Sequence, residues 1–270
     1  MPTIALGIAN LALYAIAISL TTLGVLPLWL GIAIAAVTVY VGYTPLHEAV
    51  HGNISRGSTR GSLNVVVGML GAIPAMHNVH LHRITHLSHH AHLNDPDRDA
   101  DHWVATPSFW MVPAKCLTLI GRHFVVGLRM ARRWTTGRRR LLYASIEQLI
   151  SLVPFLLVGL FASWGTAIVI VALPALLGAA ALGFFFDYLV HAPHDTSDAV
   201  AGTRAFVAPG GWNRLLTALY IGQNYHLIHH VTPKLAFYEY RVAFEHAEEA
   251  LRHRGAPVVS LGRLRRSILD

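Results

Sequence analysis

MPTIALGIANLALYAIAISLTTLGVLPLWLGIAIAAVTVYVGYTPLH, residues 1–47, holds no Asp, Glu, Lys or Arg, and the first formal charge of the chain is Glu48. A bilayer is crossed by a helix of about 20 apolar residues, so this stretch is long enough for two. Gly24-Val25-Leu26-Pro27 carries turn-forming residues between them, which predicts spans over 4–23 and 28–46. The block from Leu141 to Phe186 has Glu147 as its only charge and divides in the same way at Ser163-Trp164-Gly165. It predicts spans over 142–162 and 166–188. Leu63 to Met76 is apolar but too short to cross, and reads as a re-entrant or interfacial helix. Residues 103–130 mix Trp103, Phe109, Trp110 and Phe124 with Lys115 and Arg122, the pattern of a helix lying in the membrane interface.

The whole chain agrees with this beginning. Of its 270 residues 54% are hydrophobic and only 13% charged, against about 25% charged in soluble domains, and the mean hydropathy is +0.47. A soluble globular protein and a disordered one are both excluded. The expected fold is an all-α integral membrane protein: four transmembrane helices in two hairpins plus a cytoplasmic helical cap, as one domain over 1–270. The first span has no basic n-region before it and no small-residue cleavage site before a polar continuation, so it reads as a retained helix. Arg122, Arg129, Arg132, Arg133, Arg138, Arg139 and Arg140, with Arg252, Arg254, Arg263, Arg265 and Arg266, flank the hairpins, while the two hairpin turns carry no basic residue. The positive-inside rule puts both termini and the central loop on the cytoplasmic side of an inner or cytoplasmic membrane. These basic residues sit beside the membrane, where they suit anionic lipid or steer an acidic electron donor; nucleic acid is not an expected partner. The single cysteine, Cys116, excludes an intramolecular disulfide and a thiolate-based metal site.

The 18 histidines are more than core packing needs, and they cluster. His47-Glu48-Ala49-Val50-His51 ends the second span. His82-Arg-Ile-Thr-His86-Leu-Ser-His89-His90 follows the short apolar helix. Asp187-Tyr-Leu-Val-His191 ends the fourth span, and His226-Leu-Ile-His229-His230 lies in the C-terminal region. Residues four apart project from one helix face, so His47/His51, His86/His90 and His226/His230 each offer two imidazoles without backbone strain. Imidazole-rich sets suit Fe, Zn, Cu or Ni. His77, His80, His102, His123, His246 and His253 read as ordinary polar residues near the surface, and His82, His92 and His194 as neighbours of ligands. The acids of Asp95 to Asp101 fall in a loop broken at Pro96 and are placed to orient nearby imidazoles.

Several chemistries compete for these clusters. His47 to His51 alone spells HExxH, the pattern of a zinc metalloprotease with Glu48 as base, here an intramembrane one. That reading leaves the two HxxHH sets without a purpose. A bis-His haem needs imidazoles facing each other near mid-membrane, and a metal transporter needs polar residues inside the spans, where only Glu147 qualifies. A dinuclear iron site that activates O2 accounts for all the clusters, and its place at the membrane edge calls for a lipophilic substrate.

Three strings go further. His86-Leu-Ser-His-His-Ala-His-Leu-Asn-Asp-Pro-Asp-Arg-Asp-Ala-Asp-His102, Leu182-Gly-Phe-Phe-Phe-Asp-Tyr-Leu-Val-His191 and Ile221-Gly-Gln-Asn-Tyr-His-Leu-Ile-His-His230 resemble the membrane fatty acid desaturase and hydroxylase superfamily over roughly residues 40–245. Within it they look like the desaturase-like β-carotene ring hydroxylases. The resemblance implies a non-haem di-iron centre, O2 as co-substrate, electrons from a ferredoxin or similar donor, and hydroxylation of β-carotene at C3 of the β-ionone ring, to zeaxanthin through β-cryptoxanthin. An acyl-lipid desaturase and a carotenoid ketolase carry similar boxes. Carried over by position, the ligands are His47, His51, His86, His89, His90, His191, His226, His229 and His230. Asp187, one turn before His191, stands where related desaturases hold a water-linked Asn, which implies a water-bridging role. Glu48 stands where the family's first box carries Asp, and His194 where a non-ligand residue is commoner.

Overall fold

The structure is a computed structural model that describes residues 2–55, 61–132 and 137–261. Arg133, Arg263, Arg265 and Arg266 lie outside the described residues. The polypeptide forms two units, one of residues 1–85 and 120–182, the other of residues 86–119 and 183–270.

In the first unit the expected hairpins are present. Helix α1 is Pro2–Thr22 and α2 is Leu28–His51, with Gly24 at φ 71° in the turn between them. Polar side chains inside these apolar helices bond to nearby carbonyls, which removes their desolvation cost. Thr21 and Thr22 donate to the carbonyls of Ala17 and Ile18, and Asn10 of α1 donates across to the carbonyl of Thr38 on α2. Helix α3, Ser62–Ala72, is the short apolar helix. It lies so close to α2 that a Cβ on Gly71 would collide with the carbonyl oxygen of Gly42. Helix α2 runs past the expected end at residue 46, through the whole first histidine box. Gly52, at φ 73°, stops it by turning its N–H and that of Asn53 back onto the carbonyls of Ala49 and Glu48.

Helix α4 is Val79–Ala91, α5 is Val112–Arg132 and α6 is Gly137–Phe161. After the Ser163 cap, whose hydroxyl accepts from the N–H of Thr166, α7 runs from Trp164 to His191. Two π turns interrupt it, at Ile168–Ala172 and Gly183–Tyr188. Such single-turn bulges shift the helical phase and occur often at functional sites. Here the second one precedes His191 directly.

Among the described residues, five helices are long and apolar enough to cross a membrane: α1, α2, α6, α7 and, beyond the four expected, Phe109–Arg132. The fifth covers the segment read from sequence as interfacial. Helices of this number, length and apolarity are those of a multi-pass membrane protein.

The second unit departs from a purely helical fold. Strand β1, Ala205–Val207, pairs in parallel with β2, Val258–Ser260, with Ala205 opposite Val258. Between them lie α8, Trp212–Leu219, α9, His226–Val231, and α10, Tyr240–His253. Three-residue strands are too short to show an alternating pattern, which is why the sequence conceals them. Their role is positional. The N–H of Arg204, just before β1, donates to the carbonyl of Val190, and the carbonyl of Arg204 accepts from the N–H of Leu227. The last turn of α7 and the start of α9 are thus hydrogen-bonded to one residue.

Candidate metal centre

The segment Gly222-Gln223-Asn224-Tyr225 sets the geometry of α9. Gly222 sits at φ 82°, and a Cβ there would come within 2.5 Å of the Phe237 carbonyl oxygen, so a larger residue is excluded on two counts. Asn224 donates to the carbonyl of Phe206 on β1 at 3.0 Å, and the Tyr225 hydroxyl accepts from Asn213 at 2.8 Å. With the backbone held in this way, Gln223 Oε1 accepts from Nδ1 of His226 at 2.9 Å. This fixes the tautomer: the proton is on Nδ1, and Nε2 presents a lone pair.

That Nε2 lies 3.1 Å from Nε2 of His191 and 3.1 Å from Nε2 of His230, whose Nε2 is in turn 3.2 Å from that of His89. All four rings are buried, and their nitrogens form a group able to hold one ion. Two ligands at about 2.1 Å from an ion, subtending an angle between octahedral and tetrahedral, stand about 3.0–3.4 Å apart, so the spacing suits a metal. Hydrogen bonds among the rings satisfy only part of this set, because a lone pair fixed on His226 faces two neighbours at once. Burial, and then the neighbouring imidazoles of His90 and His226, push His230 well below its ordinary pKa, which leaves it a neutral imidazole able to ligate.

His89 has a different partner. Its Nδ1 lies 2.9 Å from each oxygen of Asp99 and 3.4 Å from Asp101. Burial draws this imidazole down, but Asp99 and Asp101 outweigh it and carry the pKa up to about 9. Burial alone would raise Asp99; the His89 ring overcomes that and holds the carboxyl well below the usual range. Asp99 is itself oriented by the N–H groups of Asn94 and Asp101, both at 2.8 Å. A carboxylate behind a ligating imidazole raises its basicity, and an ion bound at Nε2 displaces the proton held there.

A second group in the same unit consists of His86, His90 and His229. Nε2 of His90 is 3.2 Å from that of His86 and 2.8 Å from that of His229, while Nδ1 of His229 meets the Tyr240 hydroxyl at 2.9 Å. His47 and His51 belong to the first unit, buried on the last turn of α2 with ring centres 4.8 Å apart. Both groups fit iron by their chemistry, being imidazole-rich, free of thiolate and buried.

Asp187 occupies the π turn before His191, near His89, Asp99 and Asp101, and contributes to none of the possible metal-holding groups among the described residues. Glu48 is fully buried, with its carboxylate 3.9 Å from Nδ1 of His47. His92, just past the end of α4, meets the Ser88 carbonyl of that helix. His194 is lowered to about 4 by burial and then by His102. Two surface readings are corrected. His77 and His123 are buried with His82 in the first unit, because α5 folds its histidine inward. Burial, with His123 second, takes His77 down to about 3. His80, read as an ordinary polar residue, is a satisfied one: it meets Glu147, ring to carboxylate at 2.6 Å and N–H to carboxylate at 3.0 Å. The sequence reading also missed Tyr240, which lies outside every box and carries no motif, and the part played by Gln223.

The family model for fatty acid desaturase matches residues 23–262. The chain belongs to the fatty acid desaturase family. No curated protein matches it. The match takes in most of both units and begins after α1. A desaturase-family chain with these clusters is an oxidoreductase of the desaturase and hydroxylase type, and the family's centre is di-iron. The HExxH string is thereby part of a desaturase pattern, and nothing favours the protease.

Proposed function

We propose that the protein hydroxylates the β-ionone ring of carotenoids at C3, using O2 and electrons from a ferredoxin-type donor. The observation that carries this reading is how the second unit uses its most distinctive strings. In Asn-Asp-Pro-x-x-Asp-x-Asp-His and Gly-Gln-Asn-Tyr-His-Leu-Ile-His-His, Asp99 and Gln223 are the groups that hold Nδ1 of His89 and His226. The strings that resemble the carotenoid branch are thus the ones that aim the imidazoles.

The nine box histidines, His47, His51, His86, His89, His90, His191, His226, His229 and His230, are the proposed ligands of two irons, with His89, His191, His226 and His230 holding one of them. Two irons bound there supply the oxygen activation that an unactivated C–H bond demands. Overall, C–H, O2, two electrons and two protons give C–OH and water. The chain's own contribution is positional. Asp99, Gln223 and Tyr240 fix ring orientation, Asp187 bridges through water, and the apolar surroundings admit a lipophilic substrate and fix which carbon reacts.

In this reading four helices cross the membrane and α5 lies in its interface. Arg122 falls midway along α5, where a charge in the bilayer centre costs about 2.5–3.5 kcal/mol. Leu117, Val125 and Leu128 form an exposed apolar stripe on the same helix. An even number of spans returns both termini to one side, the cytoplasmic side by their basic residues. The test is expression in a host that makes β-carotene, with chromatography of the pigments. Mono- and dihydroxylated pigment is the expected result. A keto product selects a ketolase, and unchanged pigment with altered lipid unsaturation selects an acyl-lipid desaturase.

A further inference from the structure

We propose that His77, His82 and His123 form a further metal site in the first unit, for a single borderline divalent ion of the Zn2+ class, apart from the histidine boxes. The three come from separate elements: His77 from the segment between α3 and α4, His82 from the start of α4, and His123 from the middle of α5. Each offers a ring nitrogen within 4.8 Å of the others, and all three are buried. Nδ1 of His77 is fully buried without a hydrogen-bond partner among the described residues, although buried polar atoms are almost always satisfied.

The surroundings fix these rings. Asn78 accepts from the N–H of Leu81 at 2.9 Å and donates to Gln148 at 3.0 Å, and Gln148 donates to the carbonyl of Met76 at 2.9 Å. The residues on both sides of His77 are therefore tied down. Phe124 covers the His77 ring edge-on at 5.1 Å. Tyr43 touches both His82 and His47, with ring centres 5.6 and 5.3 Å apart, so an aromatic ring adjoins both the trio and the first box. Stacking accounts for His82 and His123, whose rings are 6.1 Å apart and nearly parallel, but it leaves His77 Nδ1 unused. With three imidazoles and no carboxylate or thiolate in the group, the donors exclude Mg2+ and Ca2+ and match three protein ligands to zinc with a fourth position open to solvent or an anion. Such an ion would clamp the start of α4, the helix that carries the second box, to α5.

The experiment counts metal in the full-length protein, purified without a histidine tag, equilibrated with Zn2+ and desalted. Wild type is expected to retain about one equivalent more per chain than His77→Gln or His123→Gln, and His89→Ala to lose metal without losing that difference. The comparison holds whatever the boxes contain. Equal content in wild type and both variants overturns the proposal. Should the Gln variants fail to fold, His123→Cys decides. Loaded with Co2+, it should show a thiolate-to-cobalt charge-transfer band that wild type, with Cys116 alone, lacks, and absence of the band overturns the site.

Discussion

Two histidine–carboxylate pairs in this chain look alike and do different work. His89 meets Asp99 at 2.9 Å, and His80 meets Glu147 at 2.6 Å. In both, the acid is buried and the imidazole Nδ1 faces it. The difference lies in what the rest of each ring meets. Nε2 of His89 faces His230 within a group of four imidazoles. The His80 side chain is 26% exposed, and its ring stacks on Tyr143 at 5.4 Å. A carboxylate orients and enriches the opposite nitrogen only where something waits there to be bound. For His80 the pair satisfies a buried acid among apolar helices and nothing more. The contact itself does not reveal function; the far side of the ring does.

The largest effect should come from His89→Ala. Removing a proposed ligand, rather than a group that orients one, should lower turnover by more than about 100-fold and cost bound iron, read by elemental analysis together with pigment chromatography. Undiminished hydroxylated product would remove His89 from the site and with it one side of the contrast. Asp99→Asn tests the contrast at its centre. The ring keeps a neutral neighbour but loses the charge that raises its basicity, and metal affinity or turnover should fall about 10–100-fold. Loss of fold with unchanged iron per folded molecule would make Asp99 equivalent to Glu147.

Tyr240→Phe comes next. It deletes one hydroxyl contact behind His229, worth about 1 kcal/mol, or about 5-fold in affinity at that group, and should leave the His89 group's metal in place. Tyr240 also marks the limit of what the sequence revealed. The boxes were legible because i, i+4 spacing on a helix is local, and the spans were legible because composition over 20 residues is local. The second helix overran its expected end because polar His47 and Glu48 read as an exit from the membrane, whereas the chain closes the helix with Gly52. Tyr240 reaches His229 from a separate helix, and β1 meets β2 across some fifty residues; no periodicity encodes either contact. His77 and His123 read as surface residues for the same reason: each is an isolated histidine until folding brings it to His82.

Glu147→Gln should give the smallest effect on chemistry and so sharpens the comparison from the other side. Glu147 is the only charge between Leu141 and Phe186, and a lone acid in an apolar helix invites a functional reading. Both of its oxygens are engaged, by the ring and the N–H of His80, on a helix that joins Asn78 and Met76 through Gln148. Glutamine keeps one acceptor oxygen and loses the charge. The expected cost is about 1–2 kcal/mol of stability and a thermal midpoint lower by several degrees, with iron and hydroxylated pigment per folded molecule unchanged. If iron content fell in parallel, Glu147 would be coupled to the metal centre and the distinction between the two pairs would fail. Lower stability alone would leave His80 and Glu147 as a lock between the start of α4 and α6, the role that their partly buried, Tyr-stacked ring already indicates.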